Sequence, residues 1–316
     1  MSTYIKYPFA IKKFTNEIVD INEVDNGLKC NCYCIECGKE LQAINGEENK
    51  MIPHFRHNPG SECSGNYETY IHKVTKEIFK KFDFIELPEI RFKKLYNEYW
   101  SQSNEFEKAV ESIYINHNVP SQFRDTFKFD FVLQEAQNLK FDNCSIEKTF
   151  QTVLGDIRVD IVISTKDSMM FVEPYFSNII SPNKHQKLKE QDCSTISISL
   201  MPFQMIKNNR FSLIEFTGYL ISENSKDWVL IRKKKVKHLQ RKFLKKFEKE
   251  IIKEKEIFAD YIDIQKQMSK DYKEKLKLEK KISDLRKEVY TFIEKSDNDL
   301  SKQETLIKEY YVRMKQ

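Results

Sequence analysis

Residues 155–175 read GDIRVDIVISTKDSMMFVEPY, and this stretch decides the fold class that we expect. It holds two runs rich in β-branched and aromatic residues, at 158–163 and 169–175, with a short polar turn between them. Two strands joined by so short a turn pair antiparallel. Asp160 precedes the first apolar core and Glu173 closes the second, so the two acids can converge at one edge of a sheet.

Further elements flank this pair of strands. The same composition predicts strands at residues 145–153, 194–200, 212–221 and 228–231. A helix is predicted at 183–190, where Ser181-Pro182 puts a proline in the first turn. The order of elements predicts an α+β or α/β protein with a mixed sheet flanked by helices.

Soft metal ligands are concentrated near the N-terminus. Cys34-Ile-Glu-Cys37 is followed by His54-Phe-Arg-His57 and by Cys63. Structural zinc takes four thiolate or imidazole ligands, and a C-x2-C turn supplies two of them. The two histidines face opposite sides of an extended segment, so His57 is preferred and His54 is the alternative. The sequence therefore predicts a structural zinc site at Cys34, Cys37, His57 and Cys63.

A polar helical face follows the cysteines directly. Glu68, His72 and Lys76 are spaced by four residues, so they share one face of a helix predicted at 68–82. Metal-dependent phosphodiester cleavage needs carboxylates that hold Mg²⁺ and a cation that stabilises developing charge. Glu68, and Glu147 on an earlier strand, are further candidate acids. Each charged residue alone is as readily a solvated surface group, but their order along the chain favours a shared site.

These segments resemble the competence protein CoiA-like family over roughly residues 28–85 and 145–235. The motifs that carry the resemblance are Cys34-x2-Cys37, His54-Phe-Arg-His57, Glu68-x3-His72-x3-Lys76, Gly155-Asp-Ile-Arg-Val-Asp160 and Phe171-Val-Glu173. In that family a small zinc-binding element is joined to a nuclease domain of the PD-(D/E)XK superfamily. The resemblance implies a restriction-endonuclease-like core, built as a mixed sheet flanked by helices.

The resemblance also implies roles for single residues. Asp160 and Glu173 would be the acids that hold a catalytic Mg²⁺ or Mn²⁺, and Glu68 would be the helix-borne acid that completes the site. His72 would orient Glu68 or contact phosphate. The zinc ligands would be structural.

The chain departs from the superfamily at the catalytic lysine. That lysine stands two residues after the motif glutamate, where this chain has Tyr175. Lys184, by preference, or Lys187 on the following helix would supply the positive charge instead. Loss of catalysis with retention of binding is equally compatible with this departure.

Charge is divided unevenly along the chain. Residues 231–316 carry 26 Lys and Arg against 16 Asp and Glu, a net charge of +10, and residues 1–230 carry −5. A basic tail on an acidic body is typical of proteins that meet polyanions through the tail. The predicted nucleic-acid contacts are Arg232, Lys233, Lys234, Lys235, Lys237, Arg241 and Lys242.

The tail is rich in Lys and Glu, as a long helix should be. A short heptad seam runs through Leu278, Ile282, Leu285, Val289 and Phe292. It spans about two heptads, fewer than a firm coiled-coil prediction needs. Self-association, a partner protein, or a helical hairpin packed on itself explains it equally well.

We therefore expect three parts: an N-terminal zinc module at 1–66, a nuclease-like domain at 67–232 with an insertion near 92–126, and a basic helical tail at 233–316. No run of eighteen apolar residues and no signal-peptide core occur. The expected location is the cytoplasm, with no membrane partner. The predicted function is Mg²⁺-dependent cleavage of DNA, and the alternative is an inactive nucleic-acid-binding or assembly protein on the same scaffold.

Overall fold

The structure is a computed structural model that describes residues 7–46, 52–61, 63, 66–124, 131–177, 180–204 and 211–314. Two compact units make up the chain. One comprises residues 1–107 and 129–245, and the other comprises residues 108–128 and 246–316. The three-part division expected from the sequence stays a prediction.

The first unit begins with five short strands and a helix. They are β1 (Phe9–Lys12), β2 (Ile18–Asp20), β3 (Gly27–Tyr33), β4 (Glu40–Ile44), β5 (His54–His57) and α1 (Tyr67–Phe79). The strands form one antiparallel sheet in the order β2-β1-β3-β4-β5. Asn66 caps α1, because its side chain accepts a hydrogen bond from the backbone N–H of Thr69 at 2.8 Å. The helix predicted at 68–82 is confirmed and ends at Phe79.

Small elements follow α1. They are β6 (Phe84–Leu87), β7 (Ile90–Arg91), α2 (Phe92–Leu95), a π-helical turn (Tyr96–Trp100), α3 (Asn104–Asn116), α4 (Ser121–Arg124), β8 (Val132–Gln134) and β9 (Gln137–Lys140). Strands β6 and β9 pair, as do β7 and β8. Helices α2 to α4 lie in the segment predicted as an inserted group of helices. The two small sheets that flank them were not expected.

A second five-stranded sheet carries a hydrophobic core cluster of this unit. Its elements are β10 (Asn143–Phe150), β11 (Ile157–Ser164), β12 (Met169–Tyr175), α5 (Pro182–Glu190), β13 (Ser194–Ser199), α6 (Leu213–Ile221) and β14 (Lys226–Leu230). The strand order is β10-β11-β12-β13-β14, and only β12 and β13 are parallel. Helix α5 is the crossover that a parallel pair requires. Its Leu188 is buried against Ile157, Val159 and Phe171.

The strand predicted at 212–221 is wrong, because this segment is helix α6. The Ser212 hydroxyl accepts a hydrogen bond from the backbone N–H of Glu215 at 3.1 Å, and the Glu215 carboxylate accepts one from the backbone N–H of Ser212 at 2.7 Å. This reciprocal capping box starts a helix. Phe216 and Leu220, four residues apart, are fully buried on one face.

The tail consists of α7 (Lys233–Lys253) and α8 (Lys255–Met314), and α8 alone is 60 residues long. A helical hairpin within the predicted seam is excluded, because one continuous helix spans it. Within the second unit, Phe123 packs edge-on against Tyr261 at 4.8 Å. None of the helices in the described ranges is both long and apolar enough to cross a bilayer.

Candidate functional site

One cavity of the first unit gathers most of the side chains that the sequence assigns to chemistry. Its volume is about 320 Å³. Its charged and imidazole-bearing walls are formed by Glu68, His72, Asp160, Glu173 and Lys184. A larger cavity of about 600 Å³ lies elsewhere in this unit, beside β2 and the end of α1, and contains none of these five residues.

Helix α1 forms one wall, and its polar face runs from solvent into the protein. Glu68 is exposed, His72 is half-buried, and Lys76 is buried, with 10% of its side chain accessible. The three share one face because they are four residues apart. The polar face predicted from the sequence therefore runs from an exposed acid, Glu68, to a buried ammonium group, Lys76.

Asp160 and Glu173 lie where the pairing of β11 and β12 stops. Ile161 and Val172 form the last registered pair, and the two acids come next on either strand. The following residue, Pro174, has no N–H with which to continue a ladder. The end of the ladder therefore places two carboxyl groups side by side.

A buried ammonium group connects the neighbouring strands. The Nζ atom of Lys76 lies 2.7 Å from Oδ1 of Asp160 and 3.0 Å from Oε1 of Glu147. Arg158 pairs with the other oxygen of Glu147. Acids and cations thus alternate from the partly buried Asp160 through Lys76 to the exposed pair of Glu147 and Arg158.

This pairing determines the protonation of Asp160 and Lys76. Burial raises the pKa of Asp160, but the hydrogen bond and charge of Lys76 outweigh burial and hold the pKa below its ordinary value. Burial lowers the pKa of Lys76, but Asp160 and Glu147 outweigh it and raise the pKa. The ammonium and the Asp160 carboxylate are therefore both charged at neutral pH.

Glu173 occupies the most buried position of the cavity, with 4% of its side chain accessible. Lys184 contacts its Oε2 atom. Its Oε1 atom is buried and faces no hydrogen-bond partner in the part of the chain that the structure describes. Burial, together with the charge of Asp160 and against that of Lys184, raises the pKa of Glu173 to about 7. An acid oxygen without a donor is the position that a cation or a proton would fill.

His72 stands between Glu68 and Lys76 against an aromatic wall. Its ring centroid lies 5.7 Å from that of Phe176. Burial, aided by the charge of Lys76, lowers the pKa of His72 although Asp160 raises it. The imidazole is therefore mainly neutral at pH 7, and one ring nitrogen can accept a hydrogen bond.

Of the two lysines predicted from the sequence to supply positive charge, only Lys184 lines the cavity. Tyr175 lines the cavity too. Lys187 does not, because its ammonium group donates to the backbone carbonyl of Asp156 at 3.0 Å. The sequence placed Lys76 on the correct helix face but gave it no role, since its burial depends on strands that follow seventy or more residues later.

The cysteine and histidine residues predicted to bind zinc form a second site. Cys34, Cys37, His57 and Cys63 offer ligand atoms that all lie within 4.8 Å of one another. The Sγ atoms of Cys34 and Cys63 are 3.4 Å apart, and Nε2 of His57 lies 3.1 Å from Sγ of Cys63. Three thiolates and one imidazole are a usual donor set for structural zinc. This cluster can bind a metal such as zinc.

The choice between the two histidines is decided by their positions on β5. His57 is buried and joins the cysteines, whereas Nδ1 of His54 lies 2.8 Å from the carbonyl oxygen of Ile52. Residues three apart on a strand face opposite sides. His57, the preferred ligand, is therefore in place.

The acids of the cavity form a looser set than the cysteine cluster. Within the described ranges, Cys34, Cys37, His57 and Cys63 are the only group of three or more such ligand atoms so close together. Lys76 and Lys184 contact Asp160 and Glu173 instead. A divalent cation there would share the carboxylates with two ammonium groups.

The predicted nucleic-acid contacts divide into two groups. Six of them are exposed, namely Arg232, Lys233, Lys234, Lys237, Arg241 and Lys242. Lys235 instead lies over the ring of Trp228 at 4.7 Å, and burial lowers its pKa to about 8. Lys242 donates to the carbonyl of Leu133 at 2.5 Å. Both of these ammonium groups have a partner within the protein, and all seven nucleic-acid contacts stay a prediction.

Comparison with known proteins gives no relative. No family model matches the chain, and neither the curated proteins nor the solved structures contain a significant match. The function must therefore be argued from the two sites themselves.

Proposed function

We propose that this chain is a Mg²⁺- or Mn²⁺-dependent nuclease that hydrolyses phosphodiester bonds of DNA, in DNA processing or in defence against foreign DNA. The observation that carries the proposal is that Glu68, Asp160, Glu173 and Lys184 all line one cavity. The order α1, β10, β11, β12, α5, β13 supports a restriction-endonuclease-like core, to which the resemblance to CoiA-like nucleases also points.

The donor set of the cavity fits a hard cation. Carboxylate oxygens are the ligands that Mg²⁺ prefers, and Oε1 of Glu173 is a buried acceptor that meets no described donor. Asp160 and Glu173 would hold the cation, with Glu68 at the mouth. When bound, the cation supplies a Lewis acid and lowers the pKa of water.

The chain's own residues have distinct tasks in this proposal. During hydrolysis the oxygen of water bonds to phosphorus, the bridging P–O bond breaks, and the leaving oxygen takes up a proton. Lys184 lies at the cavity and would stabilise the negative charge that develops on the phosphate. Lys76 keeps Asp160 ionised and oriented from below. Neutral His72 would accept a hydrogen bond from water or orient Glu68.

Plasmid nicking tests the proposal. The purified chain should nick supercoiled DNA with Mg²⁺ or Mn²⁺ and not with EDTA. Asp160→Asn and Glu173→Gln should each lower the rate by about a hundredfold or more, because each removes a charge that holds the cation. Asp167→Asn, an exposed acid in the turn between β11 and β12, is the matched control and should leave the rate unchanged. Equal rates for Asp160→Asn and the original chain would refute the proposal.

A second candidate function is nucleic-acid binding without cleavage. Tyr175 stands where the superfamily has its lysine, and both central acids already have ammonium partners. The exposed cations at the start of α7 would then act alone. Tight DNA binding with no nicking under either metal would favour this function.

A further inference from the structure

Helix α8 presents an apolar stripe to solvent. Its exposed members at heptad spacing are Ile264, Met268, Leu278, Ile282 and Leu285, each between 50% and 60% accessible. They extend the predicted seam toward the N-terminus in the same spacing of three and four residues. Most of the stability of a protein helix comes from packing of its apolar face. A stripe of this length therefore calls for a partner helix.

Two charged residues interrupt the stripe at its centre. Asp271 and Lys275 occupy heptad positions d and a, between Met268 and Leu278. Asp271 accepts a hydrogen bond from Gln267 at 2.9 Å, and Lys275 lies 3.9 Å from Glu279. Both are solvent-exposed contacts along one helix, which stabilise it little and exchange readily. Two opposite charges in the seam indicate a partner helix that places a cation opposite Asp271 and an acid opposite Lys275.

We propose that α8 associates with α8 of a second copy of this chain as an antiparallel coiled coil centred on Lys273. In antiparallel pairs, position a of one helix faces position d of the other. With this centre, Met268 faces Leu278 of the second copy, and Ile264 faces Ile282. These four residues are then matched in apolar layers on both sides of the centre.

The same centre also pairs the charges. Asp271 of each copy faces Lys275 of the other, so two ion pairs form in the middle of the seam. A parallel pair would instead set Asp271 against Asp271 and Lys275 against Lys275. It would also place Glu274 beside Glu279, and like charges across a coiled coil oppose its formation. Charge complementarity therefore selects both the partner and its direction.

Charge exchange in the full-length chain tests the register. Asp271→Lys and Lys275→Asp should each weaken dimerisation by about tenfold or more, because each creates two like-charge contacts. The double variant Asp271→Lys with Lys275→Asp should restore the original affinity, because the ion pairs re-form with exchanged signs. Sedimentation equilibrium at low salt measures the dissociation constants.

Lys280→Asp at the outward f position is the matched control, and it should leave the dissociation constant within about twofold of the original. All substituted side chains are exposed, so helix content by circular dichroism should remain constant. A chain that stays monomeric at all concentrations would overturn the proposal. Equal dimerisation by the original, both single variants and the double variant would overturn the antiparallel register, because a parallel pair tolerates all four.

Discussion

Lys76 is a buried counter-ion beside the candidate cavity. Its ammonium group bonds Asp160 at 2.7 Å and Glu147 at 3.0 Å while only 10% of the side chain meets solvent. Without it, the partly buried Asp160 would lose its nearest ammonium partner, and the exposed Glu147 would keep only Arg158. The lysine is therefore a structural counter-ion before it has any part in chemistry.

Lys76→Met tests this role. In EDTA, the free energy of unfolding should fall by about 2 kcal/mol, because the substitution leaves Asp160 without its cation in a partly buried place. Urea denaturation measures the change. Lys80→Met, one turn further along α1 and exposed, should change it by no more than about 0.5 kcal/mol. A loss of equal size in the two variants would contradict the role of Lys76.

The sequence predicted part of this site because helical spacing and strand alternation depend on local chemistry. Glu68 and His72 follow from their period on α1, and Asp160 and Glu173 follow from the turn between their strands. The burial of Lys76 and the position of Lys187 outside the cavity depend on which strands and turns pack against each lysine. That information is tertiary and cannot be read from spacing.

At the scale of elements, the metal cluster and α1 are neighbours along the chain. Cys63 is the last ligand, and Asn66 caps the helix three residues later. The ligands come from the end of β3, the turn after it, β5 and the segment before α1. A metal bound there would therefore tie the first sheet to the start of the helix that carries Glu68.

Exchange of single histidines tests the assigned ligands. His57→Gln should weaken zinc binding by about tenfold or more, because it removes one of four donors, whereas His54→Gln should retain one zinc per chain. Metal content after a graded EDTA challenge, measured by atomic emission, distinguishes the two. Retention of zinc by His57→Gln and its loss by His54→Gln would reverse the assignment.

Helix α6 shows why one element was mistaken. Residues 212–221 combine aromatic and β-branched residues, which favour strands. The correct signal was present, because Ser212 and Glu215 have the spacing of a capping box. Burial of Phe216 and Leu220 on one side then stabilises the helix. At this segment the capping box, which starts a helix, outweighs a residue composition that favours strands.

At the scale of the whole molecule, charge is the feature with the widest consequence. The segment 231–316 carries +10 and the remainder carries −5. The exposed cations at the start of α7 are the densest part of this charge. If the chain binds DNA through them, as proposed, binding would release counterions and the affinity should depend steeply on salt.

Replacement of Lys233, Lys234 and Lys237 by Gln measures how much these three lysines contribute to the salt dependence of DNA binding. The slope of log affinity against log salt for duplex DNA should become shallower by roughly 3, since each phosphate contact contributes about 0.9. Fluorescence anisotropy across a salt series gives the slopes. Replacement of Lys277, Lys280 and Lys287 on α8 by Gln is the matched control. An equal change of slope in both triple variants would show that binding is diffuse and not centred on α7.

The ammonium groups of Lys76 and Lys184 have one more consequence. Each of the two central acids already has an ammonium partner, Lys76 beside Asp160 and Lys184 beside Glu173. An arriving divalent cation would compete with tethered cations for oxygens already in position. In the proposed cation site, metal occupancy would therefore depend on how well the free metal competes with these two ammonium groups for the carboxylate oxygens.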